Sequence, residues 1–523
     1  MDVNLGPGSA VRFKRTVTTR SEDTQTMDHA PQLIQERSAP PATLVIFGAS
    51  GDLTRRKLLP AVESLARHNR LPDQFALVGV ARTPMSDDQF AESALAGRSL
   101  AEKRQLQGGI RYVAGGYDDP ETFKRLSETL DELDAQRGTS GNRLFYLSTP
   151  AGAFEPVING LAGAGLNLER ENTFSRLVIE KPYGRDLATA RELDGVVHSA
   201  FDESQVFRID HYLGKDTVQN VLALRFANSI FQPIWDRSWV DHVQITVAET
   251  LGVGTRGGFY EGAGAMRDIV QNHVLQVLAL ALMEPPVSFG GENLRNEKVK
   301  LLQAIRLPTD RDIADAAVRG QYTRGGTRQE LMAGYREEVG VDPLSRTETF
   351  AAMRLNVDNW RWAGVPFYVR TGKRLPARVT EVALQFQRPP HLPIPADQLT
   401  ELDADALILR IQPNEGISLR FGAKVPGHSF RVRTASMDFS YEQTFQEESP
   451  EAYERLLLDA LIGDASLFIR SDEVQHSWGI VDPIIEHWAK DNSPIPTYEA
   501  ASWGPTDADR LIGRNGRKWR NAA

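Results

Sequence analysis

A short apolar run that ends in glycine and opens into a helix constrains this chain more than any other feature. Leu44-Val45-Ile46-Phe47 reads as a buried strand, and Gly48-Ala49-Ser50-Gly51-Asp52-Leu53 follows it directly. Residues 55–69 then carry Leu58, Leu59, Val62, Leu65 and Ala66 close to helical spacing. Strand, glycine loop and helix in that order make a phosphate cradle. Glycines let backbone N–H groups approach a pyrophosphate, and the helix N-terminus adds partial positive charge. The spacing is G-x-x-G rather than the commoner G-x-G-x-x-G, so alone the loop also reads as an ordinary tight turn. Its place at the head of an alternating segment is what points to a dinucleotide.

That alternation runs on. Strands are expected at Phe75–Val80, Leu144–Leu147, Leu177–Ile179 and Val206–Ile209, with helices near 87–105, 121–135, 151–164 and 187–203. The rhythm predicts an α/β, Rossmann-like dinucleotide-binding domain over residues 41–210, a parallel sheet wound by crossover helices. The pattern then changes. Val243, Ile245 and Val247 alternate with polar neighbours, as do Val382–Leu384–Phe386, Leu407–Leu409–Ile411 and Ile417–Leu419–Phe421. The turn signal Pro413-Asn414-Glu415-Gly416 separates the last two. Residues 211–523 therefore read as a larger α+β domain with a mainly antiparallel sheet, plus helices at about 265–283 and 450–463. Residues 1–40 are polar and end in prolines, and are expected to be a disordered N-terminal extension.

Composition removes whole classes of function. A chain of 523 residues is too long for one core, since single cores stop growing near about 250–300 residues. A net charge of -9 argues against a non-specific nucleic-acid binder. With no cysteine, the chain has no disulfide, thiolate metal site, thiol nucleophile or thiol switch. That suits a reducing compartment, and a cytoplasmic location is the expectation. No apolar run reaches the ~18 residues of a membrane span. No H-E-x-x-H or other metal spacing stands out, so no metal is expected.

The candidate chemistry lies in a few short segments. Arg82 ends the second strand where NAD-binding domains place an acidic residue, which suits a 2′-phosphate and hence NADP. Glu180-Lys181-Pro182-Tyr183-Gly184 ends another strand, and Arg208-Ile209-Asp210-His211-Tyr212-Leu213-Gly214-Lys215 ends the last one. His211, Tyr212 and Lys215 together form a phosphate-binding set beyond a strand end, where ligand crevices lie. His273 falls among Met266, Ile269, Val270 and Val277 at 100° per residue. A histidine on an apolar stripe is more often a core residue, yet Arg267, Asp268, Gln271 and Asn272 crowd the same turns with polarity.

Gly48–Leu53, Glu180–Gly184 and Arg208–Lys215 together resemble the glucose-6-phosphate dehydrogenase family over about residues 43–500. Gly254–Gly258, Arg267–His273 and Arg370–Lys373 support the likeness. The resemblance implies NADP-dependent oxidation of D-glucose 6-phosphate to 6-phospho-D-glucono-1,5-lactone, the first step of the oxidative pentose phosphate pathway. It implies His273 as catalytic base with Asp210 as its dyad partner. It places the sugar phosphate on His211, Tyr212 and Lys215, assigns Glu249, Asp268 and Lys373 to substrate contacts, and puts Lys181 between cofactor and sugar. Where many members have a second lysine five positions beyond Lys373, this chain has Arg378, which keeps the charge but not the geometry. Tyr146-Leu147-Ser148-Thr149-Pro150-Ala151 departs from the family's alanine and paired prolines. The family also implies a homodimer or homotetramer. With no cysteine for a thiol switch, any regulation is expected to act through cofactor ratio, a regulatory partner protein or the N-terminal extension. The rival readings are another NAD(P)-dependent sugar oxidoreductase and a non-catalytic NADP-sensing protein. The basic tail Arg517-Lys518-Trp519-Arg520 is expected to be a solvated terminus.

Overall fold

The loop Gly48–Leu53 lies at the centre of a parallel sheet, and the sheet's strand order explains why. In the computed structural model, residues 37–95, 106, 108–326, 331–399, 402–445 and 450–521 are described. The expected extension over residues 1–40 lies almost wholly outside them. Six strands form the first sheet: β1 (Ala42–Phe47), β2 (Phe75–Ala81), β3 (Ile110–Ala114), β4 (Arg143–Leu147), β5 (Ser175–Ile179) and β6 (Val206–Arg208). Their order is β3-β2-β1-β4-β5-β6, and every pairing is parallel. The chain turns left of β1 and then right of it, so the loops after β1 and β4 part company there. Such a switch point opens the crevice in which a dinucleotide lies.

β3 went unread in the sequence. Ile110-Arg111-Tyr112-Val113-Ala114 directly follows the Gly108-Gly109 turn and is a short edge strand, with Arg111 and Ala114 only half-buried. Helices fill the crossovers: Leu59–Arg67, Asp87–Leu95, Pro120–Arg137, Phe154–Gly163 and Leu187–Ala200. Helix Pro120–Arg137 starts on an Asp119 N-cap and stops at Gly138, whose φ of 72° suits glycine alone without strain.

The second sheet has nine strands. In chain order they are β7 (Val240–Ala248), β8 (Ala317–Thr323), β11 (Phe350–Asn356), β12 (Pro366–Gly372), β13 (Val379–Phe386), β14 (Ala406–Gln412), β15 (Gly416–Lys424), β16 (Val432–Ser440) and β17 (Thr497–Glu499). The short β9 (Gly325–Gly326) and β10 (Leu331–Met332) pair separately. The sheet order is β16-β15-β14-β13-β7-β12-β11-β8-β17, antiparallel except at β7–β12 and β8–β17. β11 and β12 showed no alternation in the sequence because β12 is buried along its whole length and β11 along most of it.

Against β7 and β12 of the second sheet runs the segment Met266–Leu282, π-helical over Met266–Val274 and α-helical over Leu275–Leu282. Every residue of Leu275–Leu282 is buried, so its terminal carbonyls cannot reach water. Arg225 donates to Leu280 O at 3.2 Å and Met283 O at 2.7 Å, while the indoles of Trp235 and Trp362 donate to Ala281 O and Leu282 O, each at 2.8 Å. A buried cation at a helix C-terminus also complements the helix dipole.

The basic tail is not a solvated terminus. Trp519 is buried and its indole donates to Ala508 O at 2.8 Å. Arg517 pairs with Asp241 at 2.8 Å and Arg520 with Glu381 at 3.1 Å. Arg370 lies between the Trp503 and Trp519 rings and donates to Arg520 O at 2.6 Å. The charges that read as solvated are spent on partners far away in sequence. Trp519→Ala should therefore cost about 3–5 kcal/mol through the cavity it leaves. A lowered midpoint in urea unfolding checks this, and an unchanged midpoint contradicts it.

Candidate active site

The loop after β1 is shaped by contact with the loop after β4. Gly48 has φ 84°, and a Cβ there would lie 2.2 Å from Ser148 O, so only glycine fits the switch point. Gly51 N–H donates to Gly48 O at 2.9 Å, and Thr54 donates its hydroxyl to the same carbonyl at 3.1 Å. Ala49 is buried against β2 through Val80 O. Ser50 Oγ lies 3.3 Å from Thr83 Oγ1, which brings the loop beside exposed Arg82 at the end of β2. Asp52 pairs with Arg56 at 2.9 Å, and Leu53 with Lys57 continues the loop into the cleft. This set offers a glycine turn, a helix start and a cation at a strand end, which fits a dinucleotide carrying a 2′-phosphate.

A cleft of about 1300 Å³ extends from Leu53 and Lys57 past the ends of β5 and β6 to the second sheet. Asp210 and His273 meet at its floor, 63 residues apart in sequence. His273 Nδ1 donates to Asp210 Oδ1 at 2.5 Å, and both side chains are almost wholly buried. The Tyr212 backbone N–H also donates to Asp210 Oδ1 at 2.9 Å. Burial opposes the Asp210 charge, but the His273 and His211 rings and that N–H hold its carboxyl well below the usual range. Burial lowers His273, and the Lys181 charge lowers it further, against the upward pull of Asp210. The other ring nitrogen, Nε2, lies 3.1 Å from Lys181 Nζ, which also reaches Asp268 O at 3.1 Å and Asp268 Oδ1 at 3.2 Å.

Asp268 and His273 share that face because the segment is π-helical. Residues five apart diverge by about 140° on an α-helix, whereas i→i+5 bonding returns them to one side. Gly264, at φ 67°, breaks the helix before this turn, and the buried Glu348 carboxylate accepts from Met266 N at 3.1 Å. A carboxylate at a helix start is electrostatically favourable.

The sugar-phosphate candidates gather at the other end. The Tyr212 ring stacks on His273, with centroids 4.3 Å apart and planes at 20°. Lys215 Nζ sits 4.0 Å from the Tyr212 centroid. Burial first, and then the charge of Arg378, lower Lys215 to about 8. Arg378 is exposed on the rim beside it. Lys373 is buried and donates to Glu249 Oε2 at 2.5 Å. The cleft thus brings together Lys181, His211, Tyr212, Lys215, Glu249, Asp268, His273, Lys373 and Arg378, while Arg82 stands apart beside the glycine loop. Asp210, His211 and His273 could together hold a cation, since their ligand atoms lie within 4.8 Å, although Asp210 Oδ1 and His273 Nδ1 already pair with each other.

Sequence reading missed Gln412. It accepts from Lys215 Nζ at 2.5 Å and donates to the Tyr212 hydroxyl at 3.3 Å and Thr380 Oγ1 at 3.1 Å. It directly precedes Pro413-Asn414-Glu415-Gly416, which read only as a turn. Arg208, by contrast, serves structure: it is buried against Asp194 and Glu203 at 2.9 and 2.7 Å.

A doubly flanked parallel sheet with a glycine loop at its switch point, opposite a buried His–Asp pair in a lysine-lined cleft, defines a nicotinamide-dinucleotide dehydrogenase. Comparison with known proteins narrows the class. The family description "Glucose-6-phosphate dehydrogenase, NAD binding domain" matches residues 45–220, and "Glucose-6-phosphate dehydrogenase, C-terminal domain" matches 222–520. Glucose-6-phosphate 1-dehydrogenase 2 of Mycobacterium tuberculosis is 51% identical over 492 residues, covering 92% of this chain and 95% of that one. Glucose-6-phosphate 1-dehydrogenase of Aggregatibacter actinomycetemcomitans is 47% identical over 485 residues, covering 91% and 97%. A solved glucose-6-phosphate dehydrogenase in complex with its substrate glucose-6-phosphate superposes with a TM-score of 0.83 at 34% identity, covering 93% of this chain and 99% of that one. That of Mycobacterium avium gives 0.77 at 35% identity, covering 92% and 99%. The chain belongs to the glucose-6-phosphate dehydrogenase family.

The dyad has a testable titration. Asp210 stabilises the imidazolium and so raises the His273 pKa, while burial and Lys181 lower it. Asp210→Asn removes the largest upward pull and leaves only the weaker one of Asp268, so the His273 ring should titrate at still lower pH. NMR of the ring protons reads this directly, and an upward shift would contradict the arrangement.

Proposed function

We propose that this chain oxidises D-glucose 6-phosphate at C1 to 6-phospho-D-glucono-1,5-lactone with NADP, the first step of the oxidative pentose phosphate pathway. The observation that carries this is the buried Asp210–His273 pair, whose Nε2 faces Lys181 and Asp268 in a cleft lined by lysines. The glycine loop and Arg82 would hold NADP, which supplies the hydride acceptor when bound.

In this reading His211, Tyr212, Lys215 and Gln412 bind the phosphate, with Arg378 adding charge at the rim. Lys215 is well suited because burial leaves its ammonium poorly solvated and ready for an anion. Glu249, Asp268 and Lys373 orient the sugar hydroxyls. His273 Nε2 takes the C1 hydroxyl proton as C1 gives up its hydride. Asp210 holds the Nδ1–H tautomer and stabilises the imidazolium that forms. Lys181, within 3.1 Å of Nε2, places positive charge where the C1 oxygen loses its proton. A depressed His273 pKa keeps the base neutral at physiological pH, so turnover should fail only as the medium becomes acidic. A homodimer or homotetramer built on the second sheet, in the cytoplasm, completes the reading.

Following the near-ultraviolet absorbance of reduced nicotinamide, glucose 6-phosphate should be turned over and free glucose should not. No absorbance change despite cofactor binding would favour a sensing protein instead. His273→Asn should lower kcat by about 10²–10⁴ while calorimetry still detects sugar-phosphate binding. Near wild-type turnover would remove His273 as the base. Arg82→Ala should weaken NADP by about 10- to 100-fold, the loss of one charge-assisted contact, and NAD far less. Equal weakening of both in binding titrations would refute the 2′-phosphate role.

A further inference from the structure

Two side chains hold the His273 ring by its two nitrogens, Asp210 at Nδ1 and Lys181 at Nε2. They come from separate segments, Glu180–Gly184 after β5 and Arg208–Lys215 at the end of β6. One buried carboxylate joins those segments. Asp194 lies inside the helix Leu187–Ala200 and is 5% exposed. Its Oδ1 accepts from the Tyr183 hydroxyl at 2.6 Å and from Arg208 Nη2 at 2.9 Å. Tyr183 stands two residues after Lys181, and Arg208 stands two residues before Asp210. The Arg208 guanidinium also lies over the Tyr183 ring, 4.8 Å from its centroid.

The other oxygen of Asp194 faces the C-terminal part of the chain. Oδ2 accepts from Gln475 Nε2 at 2.8 Å and from the Ser471 hydroxyl, both in the first two turns of the helix Ser471–Lys490. Trp478 of the same helix donates its indole N–H to Tyr183 O at 3.0 Å. All four groups that meet the carboxylate are donors. An ionised carboxylate, which only accepts, satisfies them all, and an amide does not. Burial works against the Asp194 charge, yet Arg208, Ser471, Tyr183 and Gln475 hold its carboxyl below the usual range. Burial drives the Tyr183 phenol up, so its hydroxyl stays a donor. Arg208 has a second anchor in Glu203, at 2.7 and 2.9 Å. The Tyr183 side depends more heavily on Asp194.

We propose that Asp194 and Tyr183 are positioning residues, which fix the Lys181 segment against the Asp210 segment and so set the reach of Lys181 to His273 Nε2 and the C1 oxygen. Neither need touch the substrate. The proposal rests on the reading of Lys181 as a group that acts at the C1 oxygen, and the experiment separates the two claims. Tyr183→Phe carries the test, because it keeps the ring over Arg208 and removes only the tether. Asp194→Asn also sets an N–H against donors and weakens the hold on Arg208.

The measurement is steady-state kinetics of the full chain, with Lys181→Ala, Tyr183→Phe and the double variant, and inorganic phosphate as a competitive probe. Lys181→Ala should lower kcat/KM for glucose 6-phosphate. Tyr183→Phe should lower it about three- to tenfold, as the loss of one hydrogen bond does. The Ki for phosphate should stay in place, because His211, Tyr212 and Lys215 belong to the segment that Glu203 still anchors. In the Lys181→Ala background Tyr183→Phe should cause no further loss, since changes that act through one group do not add. Asp194→Asn should lose at least as much as Tyr183→Phe, with a lower melting temperature. A purely structural role would lower the melting temperature and make the two losses multiply in the double variant. If Lys181→Ala leaves kcat/KM unchanged, the reading of Lys181 falls and the proposal with it. If Lys181→Ala lowers it and the losses multiply, or Tyr183→Phe alone loses nothing, the reading of Lys181 stands and the positioning role is refuted.

Discussion

The site depends on how the segment Met266–Leu282 is held. Its second half is wholly buried, and both of its ends take polar partners from elsewhere in the chain. The Glu348 carboxylate meets its first turn, and Arg225, Trp235 and Trp362 take up its last carbonyls. Fixed at both ends, the segment can present a widened turn to the cleft. That turn aligns Asp268 with His273 under Lys181 and sets His273 against Asp210. The dyad is a consequence of helix capping as much as of its own hydrogen bond.

The cleft also reconciles an acidic chain with an anionic ligand. The net charge is -9, yet Lys57, Lys181, Lys215, Lys373, Arg256 and Arg378 all line one cavity. Several are half-buried or buried, which lifts the value of each charge above what it would have in open water. Carboxylates are interleaved where orientation matters. Glu249 holds Lys373, Asp268 holds Lys181, and Asp210, itself held by the Tyr212 backbone N–H, serves the histidine. Because the chain contains no cysteine, none of these groups is subject to a thiol switch on the same chain.

What could be read from sequence was what contiguous residues carry. The glycine loop, Glu180–Gly184 and Arg208–Lys215 each hold their chemistry within a few positions, so residue identity and order exposed them. His273 was harder. Counted at 100° per residue it joined an apolar stripe, and only the π-helical turn shows why it shares a face with Asp268. Gln412 was invisible because its partners Lys215 and Tyr212 are 197 and 200 residues away. β11 and β12 lacked a period because β12 is buried on both faces and β11 nearly so. The tail misled for the opposite reason. Arg517 and Arg520 look like solvated charge until Asp241 and Glu381 are seen across the sheet.

The most direct measurement is a crystal structure of the His273→Asn variant soaked with glucose 6-phosphate, which traps the sugar without turnover. If the dyad and the cationic cluster do what their geometry allows, the phosphate will lie among His211, Tyr212, Lys215 and Gln412. The C1 hydroxyl will then point at residue 273 beside Lys181. Density with the sugar reversed, or with C1 out of reach of residue 273, would contradict proton removal by His273 and with it the assignment of the whole cleft.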